Sequence, residues 1–259
     1  MILRRFMKHV TDQNWFAVGL DVIVVVVGIF LGMQVTEWNQ DREINNEVTI
    51  YKHRLINELK ENITRLDNDI QYYQGVIDYA GIVYLDIDKP ENELDEAFIV
   101  MAYQSTQRTG LRVANFTINE INSTGMLKYL NDIELRQNIQ IYDNAIKTDE
   151  SGTAPLTAYR INIRSILFTE IQDAIRAHCD DQVDFLSGDS RIILVKLNKD
   201  CKLELSEEVT RHQIKILKQY TNFKNDLSYR ISDIHWKLTN LGVIKLQAEY
   251  LLSYLENNI

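Results

Sequence analysis

The sequence predicts an all-α protein, in which one N-terminal transmembrane helix continues into a bundle of long helices carrying a small hairpin-like insert. Three observations predict it. The 259 residues include only 2 Pro and 10 Gly, a scarcity that removes most helix breakers and turn formers. Residues 15–36 are apolar on every side rather than along one stripe. Beyond them, apolar residues recur at spacings of three and four, the helical period. A composition that is 45% hydrophobic and 25% charged is enough to bury a sizeable core.

Residues 15–36 read WFAVGLDVIVVVVGIFLGMQVT. As a helix, about 22 residues reach roughly 33 Å and cover a bilayer's hydrocarbon core. Trp15 and Trp38 fall where aromatic rings favour the two interfaces. Arg4, Arg5 and Lys8 precede the run, and Glu37, Asp41 and Glu43 follow it. The positive-inside rule then predicts a cytoplasmic stub at 1–14, a span at 15–36 and an extracytoplasmic domain at 37–259. MQVTEW after Gly32 lacks the small-x-small pattern of a cleavage site, which favours a retained anchor over a signal peptide.

Asp21, Gly28 and Gly32 project from nearly the same side of the span, with Val25. Gly28 and Gly32 form a small-xxx-small pair that lets a second helix approach closely, a pattern that also arises by chance. Asp21 has two readings. It is either a proton or pairing site, because an ionised group in lipid costs several kcal/mol, or an acid near enough to the headgroups to stay wet.

In the outer domain, Ile44, Val48, Tyr51, Leu55, Leu59, Ile63, Leu66, Ile70, Tyr73 and Ile77 predict one amphipathic helix to about Asp86. It is expected to continue directly from the span, since no Pro or Gly precedes Gly75 there. Pro90 breaks it, and a shorter helix is expected from Glu91 to about Gln107. A third runs from about Ala114 to Thr124, with Gly125 suited to a left-handed cap. Asn131 with Glu134 begins a fourth, to about Thr148. After SGTAP a fifth extends to about His178, and Glu207 to Asn257 forms the last. Its expected buried stripe is Ile216, Tyr220, Phe223, Leu227, Ile231, Ile234, Leu238 and Leu241. The first and last long helices are expected to pair antiparallel, with a coiled-coil oligomer of the first as the rival arrangement. Residues 180–206 are the exception, because DFLSGD and RIILVKL read as a turn and an extended segment.

The chemistry is sparse. Cys179 and Cys201 are the only cysteines; outside the cytoplasm they would close a loop of about 23 residues with roughly 3 kcal/mol of stabilisation, the alternative being two buried thiols. His178, Cys179, Cys201 and His212 lack zinc-site spacing. Asp180, Asp181 and Asp184 lack the glycine and glutamate of a calcium loop. No phosphate loop, nucleophile elbow or HExxH helix occurs, so neither enzyme activity nor a cofactor is expected. A net charge of -9 argues against nucleic acid, because a polyanion binder needs a cationic surplus. Glu120, Ser123, Thr124, Gly125 and Arg136 form the densest polar group. They read either as a helix end with Arg136 paired to Glu120 or Glu134, or as a partner-docking corner.

Two stretches carry a resemblance, HVTDQNWFAVGLDVIVVVVGIFLGMQVTEWNQDR at 9–42 and FTINEINSTGMLKYLNDIELRQNIQIY at 116–142. Together they cover about a quarter of the chain. They resemble a bacterial family of unknown function, made of single-span membrane proteins with a helical outer domain. Ile121 replaces the family's Leu, and Asp21 replaces its commoner Glu. The resemblance implies location and architecture but no activity.

The expected location is therefore the bacterial inner membrane, single-pass, with the N-terminus cytoplasmic and the domain periplasmic. The expected role is a non-enzymatic scaffold or sensor. Its partners would be the lipid bilayer together with further copies of the chain or another envelope membrane protein. The alternative is a proton-coupled subunit of a motor-like complex, since LDVIVVVVGIF looks like the Asp-led span of TonB-type and flagellar-stator subunits. Against it, no peptidoglycan-binding signature occurs.

Overall fold

A computed structural model describes residues 15–151, 156–186, 189–198 and 201–258. The stub expected at 1–14 and the centre of the turn expected in DFLSGD, residues 187–188, lie outside the described residues. The chain divides into two compact units, Met1–Tyr51 and Lys52–Ile259.

Helix α1 runs unbroken over Trp15–Asp86. In the first unit, every described side chain from 19 to 43 is exposed. One helix near the N-terminus is thus long and apolar enough to cross a membrane, and none of its apolar window is buried. In the second unit α1 becomes amphipathic, burying Leu55, Leu59, Leu66, Tyr73, Val76, Ala80 and Val83. Each such Leu or Val contributes about 1.5–3 kcal/mol by leaving water. Ahead of Pro90, the Ile87 N–H still bonds the Val83 carbonyl at 3.1 Å, and the last turn closes there.

The second unit is an all-α bundle with one two-stranded hairpin. After α1 come α2 (Glu96–Gln104), α3 (Phe116–Ser123), α4 (Ile133–Ser151), α5 (Ala158–Ile166) and α6 (Thr169–His178). Strands β1 (Gln182–Leu186) and β2 (Asp189–Lys196) follow, then α7 (Glu207–Gln219) and α8 (Phe223–Asn257). A short 3-10 turn, Glu91–Glu93, precedes α2, whose N-cap Asp95 accepts from the Ala97 N–H. The core joins Phe98 and Ile99 of α2, Tyr159 and Ile163 of α5, and Ile171 of α6 to Leu217 of α7 and to Phe223 and Leu227 of α8. The Phe223 ring anchors it, edge-on to Tyr159 at 5.7 Å and stacked on Phe98 at 6.4 Å.

Helices α1 and α8 lie antiparallel within this unit. Lys60 pairs with Glu256 at 2.8 Å, Asp67 with Lys245 at 2.6 Å, and Asp88 with Lys224. As one residue number rises the other falls, which fixes the direction. Helix α4 packs along α8, and Lys237 reaches the buried Asp149 at its end (2.5 Å).

Two helices expected as continuous are broken. The fifth splits at Leu167–Phe168, where no Pro or Gly marks a break. There the buried Gln213 of α7 accepts from the Phe168 N–H (2.8 Å) and donates to the Ile166 carbonyl (3.2 Å). Gln172 donates to the carbonyls of Arg164 and Leu167 (2.7 and 3.0 Å), so the groups freed by the kink are satisfied by side chains. The last helix likewise splits at Tyr220–Asn222. The Tyr220 hydroxyl bonds to Asp226, and Lys218 donates to the Ile87 carbonyl at 2.9 Å, tying the corner to the end of α1. The break also rotates the buried stripe. Ile214 and Leu217 are buried where Ile216 and Tyr220 were expected, while Ile231 and Leu238 are only half-buried.

The start of α4 differs by one residue. Asp132, not Asn131, accepts the Leu135 N–H (3.0 Å). That bond holds its carboxyl below the usual carboxylate range, with support from the Tyr254 hydroxyl.

Candidate interaction surfaces

On the N-terminal apolar segment, Gly28 and Gly32 lie in open space, with no atom beyond the adjoining residues and the helix's own nearby backbone within 4 Å of where a Cβ would stand. Asp21 lies within α1, but its side chain falls outside the described residues.

In the bundle, the polar corner expected around Glu120 separates into two groups. Glu120 pairs with Arg54 of α1 at 2.5 Å, not with Arg136. The hydroxyls of Ser123 and Thr124 both donate to the Glu120 carbonyl (3.1 and 2.7 Å), capping the end of α3. Gly125 then reverses the chain at φ 70°, a conformation that costs roughly 1–2 kcal/mol for a residue with a Cβ. These residues build the corner. Gly125 and Arg136 instead line an open hollow of about 570 Å³ with Leu127, Lys128, Ile133 and Gln137. Arg136 makes no ion pair among the described residues, and Ile133 is 63% exposed. The hollow combines the cations Lys128 and Arg136 with the half-buried Leu127 and the exposed Ile133.

Cys179 and Cys201 are bonded, with their Cα atoms 5.2 Å apart. Between them β1 and β2 pair antiparallel, with Val183 opposite Val195 and Phe185 opposite Ile193. That face leaves Val183, Phe185 and Ile193 exposed. Polar contacts tie the insert to α1. The Val195 N–H donates to Asn68 Oδ1 (2.8 Å), and the Tyr72 hydroxyl donates to Asp181 Oδ2 (2.7 Å). Burial raises the Asp181 carboxyl above its ordinary value, and the Tyr72 bond partly offsets this.

A polar seam under the 112–117 segment gave no sequence signal. Arg112 Nε donates to the buried Asp69 at 2.9 Å, and Arg112 Nη2 to Asn68 at 2.7 Å. Asn62 bonds both the N–H and the carbonyl of Ala114 (2.8 and 2.6 Å). Three guanidiniums also converge on consecutive residues after α2. Arg160 reaches the Thr106 carbonyl (2.6 Å), Arg164 the Thr106 hydroxyl (2.8 Å), and Arg230 the carbonyls of Ser105 and Gln107 (3.2 and 2.6 Å). Burial, then the neighbouring Arg164 and Arg108, push Arg160 down to about 10. The cluster caps the negative end of a helix, which explains its charge without a ligand.

Helix α8 also presents an outward row of large side chains. Tyr229, Trp236, Val243 and Tyr250 repeat every seven residues and are 65%, 43%, 47% and 52% exposed; Leu246 beside them is 63% exposed. The period was present in the sequence, but reading for one buried stripe passes over a second one on the opposite side.

Among the described residues, no three His, Cys, Asp or Glu side chains gather closely enough to hold a metal ion. Comparison with protein-family models, curated proteins and solved structures found no match.

Proposed function

We propose that this chain is a membrane-anchored, non-enzymatic scaffold or sensor of the bacterial envelope that acts through protein–protein contacts. The N-terminus is cytoplasmic and the bundle periplasmic, as the charge flanking the span supports. The observation that carries the reading is the hollow at the α3–α4 corner. Its Arg136 has no carboxylate partner among the described residues, and Ile133 stands in water beside it. An unpaired guanidinium next to an exposed aliphatic is the composition of a binding anchor with a polar rim. The partner that fits is an envelope membrane protein offering an acidic and apolar segment.

The test places a photo-crosslinker at Ile133 in the full chain in intact membranes. The expected product is an adduct with a different membrane protein, reduced at least tenfold by Arg136→Glu. Recovery of the intact chain in the soluble fraction without detergent overturns the reading, as does an absence of adducts. The proton-coupled alternative draws on the acid inside the apolar run. It requires Asp21→Asn to abolish activity in cells while leaving the chain folded and in the membrane.

A further inference from the structure

We infer that the cleft between α1 and β2 is a binding site for a neutral sugar unit. The site lies apart from the corner at Arg136, and the inference does not depend on where in the cell the bundle stands.

The cleft encloses about 400 Å³, toward the lower end of small-molecule sites, which run from roughly 300 to 1,000 Å³. Helix α1 supplies one wall. Gln71, Tyr72 and Gly75 follow Asn68 at helical spacings and share its side of α1, and all four line the cleft. Glycine weakens a helix interior, and at Gly75 it leaves out the side chain that would stand on this wall. The second wall is the end of β2, where Val195 and Leu197 supply apolar surface.

Asn68 is the informative group. It is 8% exposed, and its Oδ1 accepts from both the Val195 N–H (2.8 Å) and Arg112 Nη2 (2.7 Å). Two donors on one oxygen fix the orientation of the amide. Its NH2 group is left unspent, since Nδ2 donates to no described residue. A shielded donor without a partner costs free energy, which a ligand acceptor recovers. Gln71 bonds to no described residue either. Gln74, also lining the cleft, donates to Asp78 at 3.1 Å and keeps its Oε1 free to accept. Carboxamide donors and acceptors thus stand together beside an apolar wall.

Charge and main-chain pairing select the ligand. Among the described residues, Lys196 is the only ionised side chain that lines the cleft, and Asp184 neutralises it at 2.8 Å. Such a cleft offers no counter-ion to a phosphate, a carboxylate or an amine. An extended peptide needs a free strand edge. The outer edge of β2 is already taken, because Asn68 holds the Val195 N–H and Arg112 Nη1 donates to the Ile193 carbonyl at 3.3 Å. A sugar ring meets both conditions. It is neutral, its hydroxyls donate and accept as the carboxamides require, and its C–H faces suit Val195 and Leu197.

The test is saturation-transfer NMR on the full chain in detergent micelles, with glucose and N-acetylglucosamine as probes and diglycine as the peptide control. Transfer is expected to the ring protons of at least one sugar, with none to diglycine. Gln71 is exposed, so Gln71→Trp obstructs the cleft without touching the core. It is expected to lower the sugar signal at least tenfold with the melting temperature unchanged. Asn68→Asp keeps the oxygen that holds Val195 and Arg112 but removes the NH2 donor, and is expected to weaken binding at least tenfold. Arg136→Glu leaves the sugar signal intact, which separates failure here from failure of the corner reading. Transfer to neither sugar overturns the site, as does stronger transfer to diglycine or a sugar signal that survives Gln71→Trp.

Discussion

From 20 to 35, every described side chain of α1 is exposed although nearly all are apolar; from 55 to 83, the same helix buries Leu, Val, Tyr and Ala together with the carboxylate of Asp69. Helix propensity does not separate the two regions, since both are continuous helix. What separates them is where polarity falls around the axis. An all-round apolar surface has no inner side and leaves its covering to the surroundings, whereas a one-sided surface organises its own covering and must then find partners for any polar group drawn in with it. The second region therefore depends on specific side-chain pairs, and the first on composition alone.

The largest effect expected from this contrast is at the buried charge. Arg112→Ala removes the guanidinium that meets Asp69, a side chain only 1% exposed, and should destabilise the bundle by about 3–5 kcal/mol in a denaturant melt. A loss under 1 kcal/mol would show that the seam is not what holds the 112–117 segment. Next, Leu59→Ala should cost about 2–5 kcal/mol, while Val26→Ala should leave the bundle's melting temperature unchanged. Equal shifts for both would erase the distinction between the two parts of α1. The smallest effect is at the start of α4, where Asp132→Ala should cost about 1 kcal/mol at pH 7. The carboxyl's folded-state pKa lies below its ordinary value, so its contribution is present above that value and is lost as the pH falls through the folded one. Wild type and variant should therefore converge in acid; a difference that persists or grows there would assign the loss to something other than the carboxylate.

The reach of the sequence follows the same divide. The all-α class, the apolar helix and the end of α1 before Pro90 were legible because each depends on local pattern or a single breaker. The breaks at Leu167–Phe168 and Tyr220–Asn222 were not, since Gln213 satisfies the first from 45 residues away and Lys218 ties the second to the Ile87 carbonyl, 131 residues earlier. The polar corner was legible as a cluster but not as an arrangement. Glu120 is taken by Arg54, 66 residues earlier, which leaves Arg136 to the hollow. Spacing names neighbours along a helix, and only the packed chain shows which distant cation arrives first.

The Cys179–Cys201 bond encloses the whole hairpin. A protease that nicks the backbone between those residues leaves both fragments in one covalent molecule, of unchanged size under denaturing conditions until a reductant is added. Damage to the insert under oxidising conditions would therefore not release the C-terminal helices from the part of the chain that carries the long apolar helix.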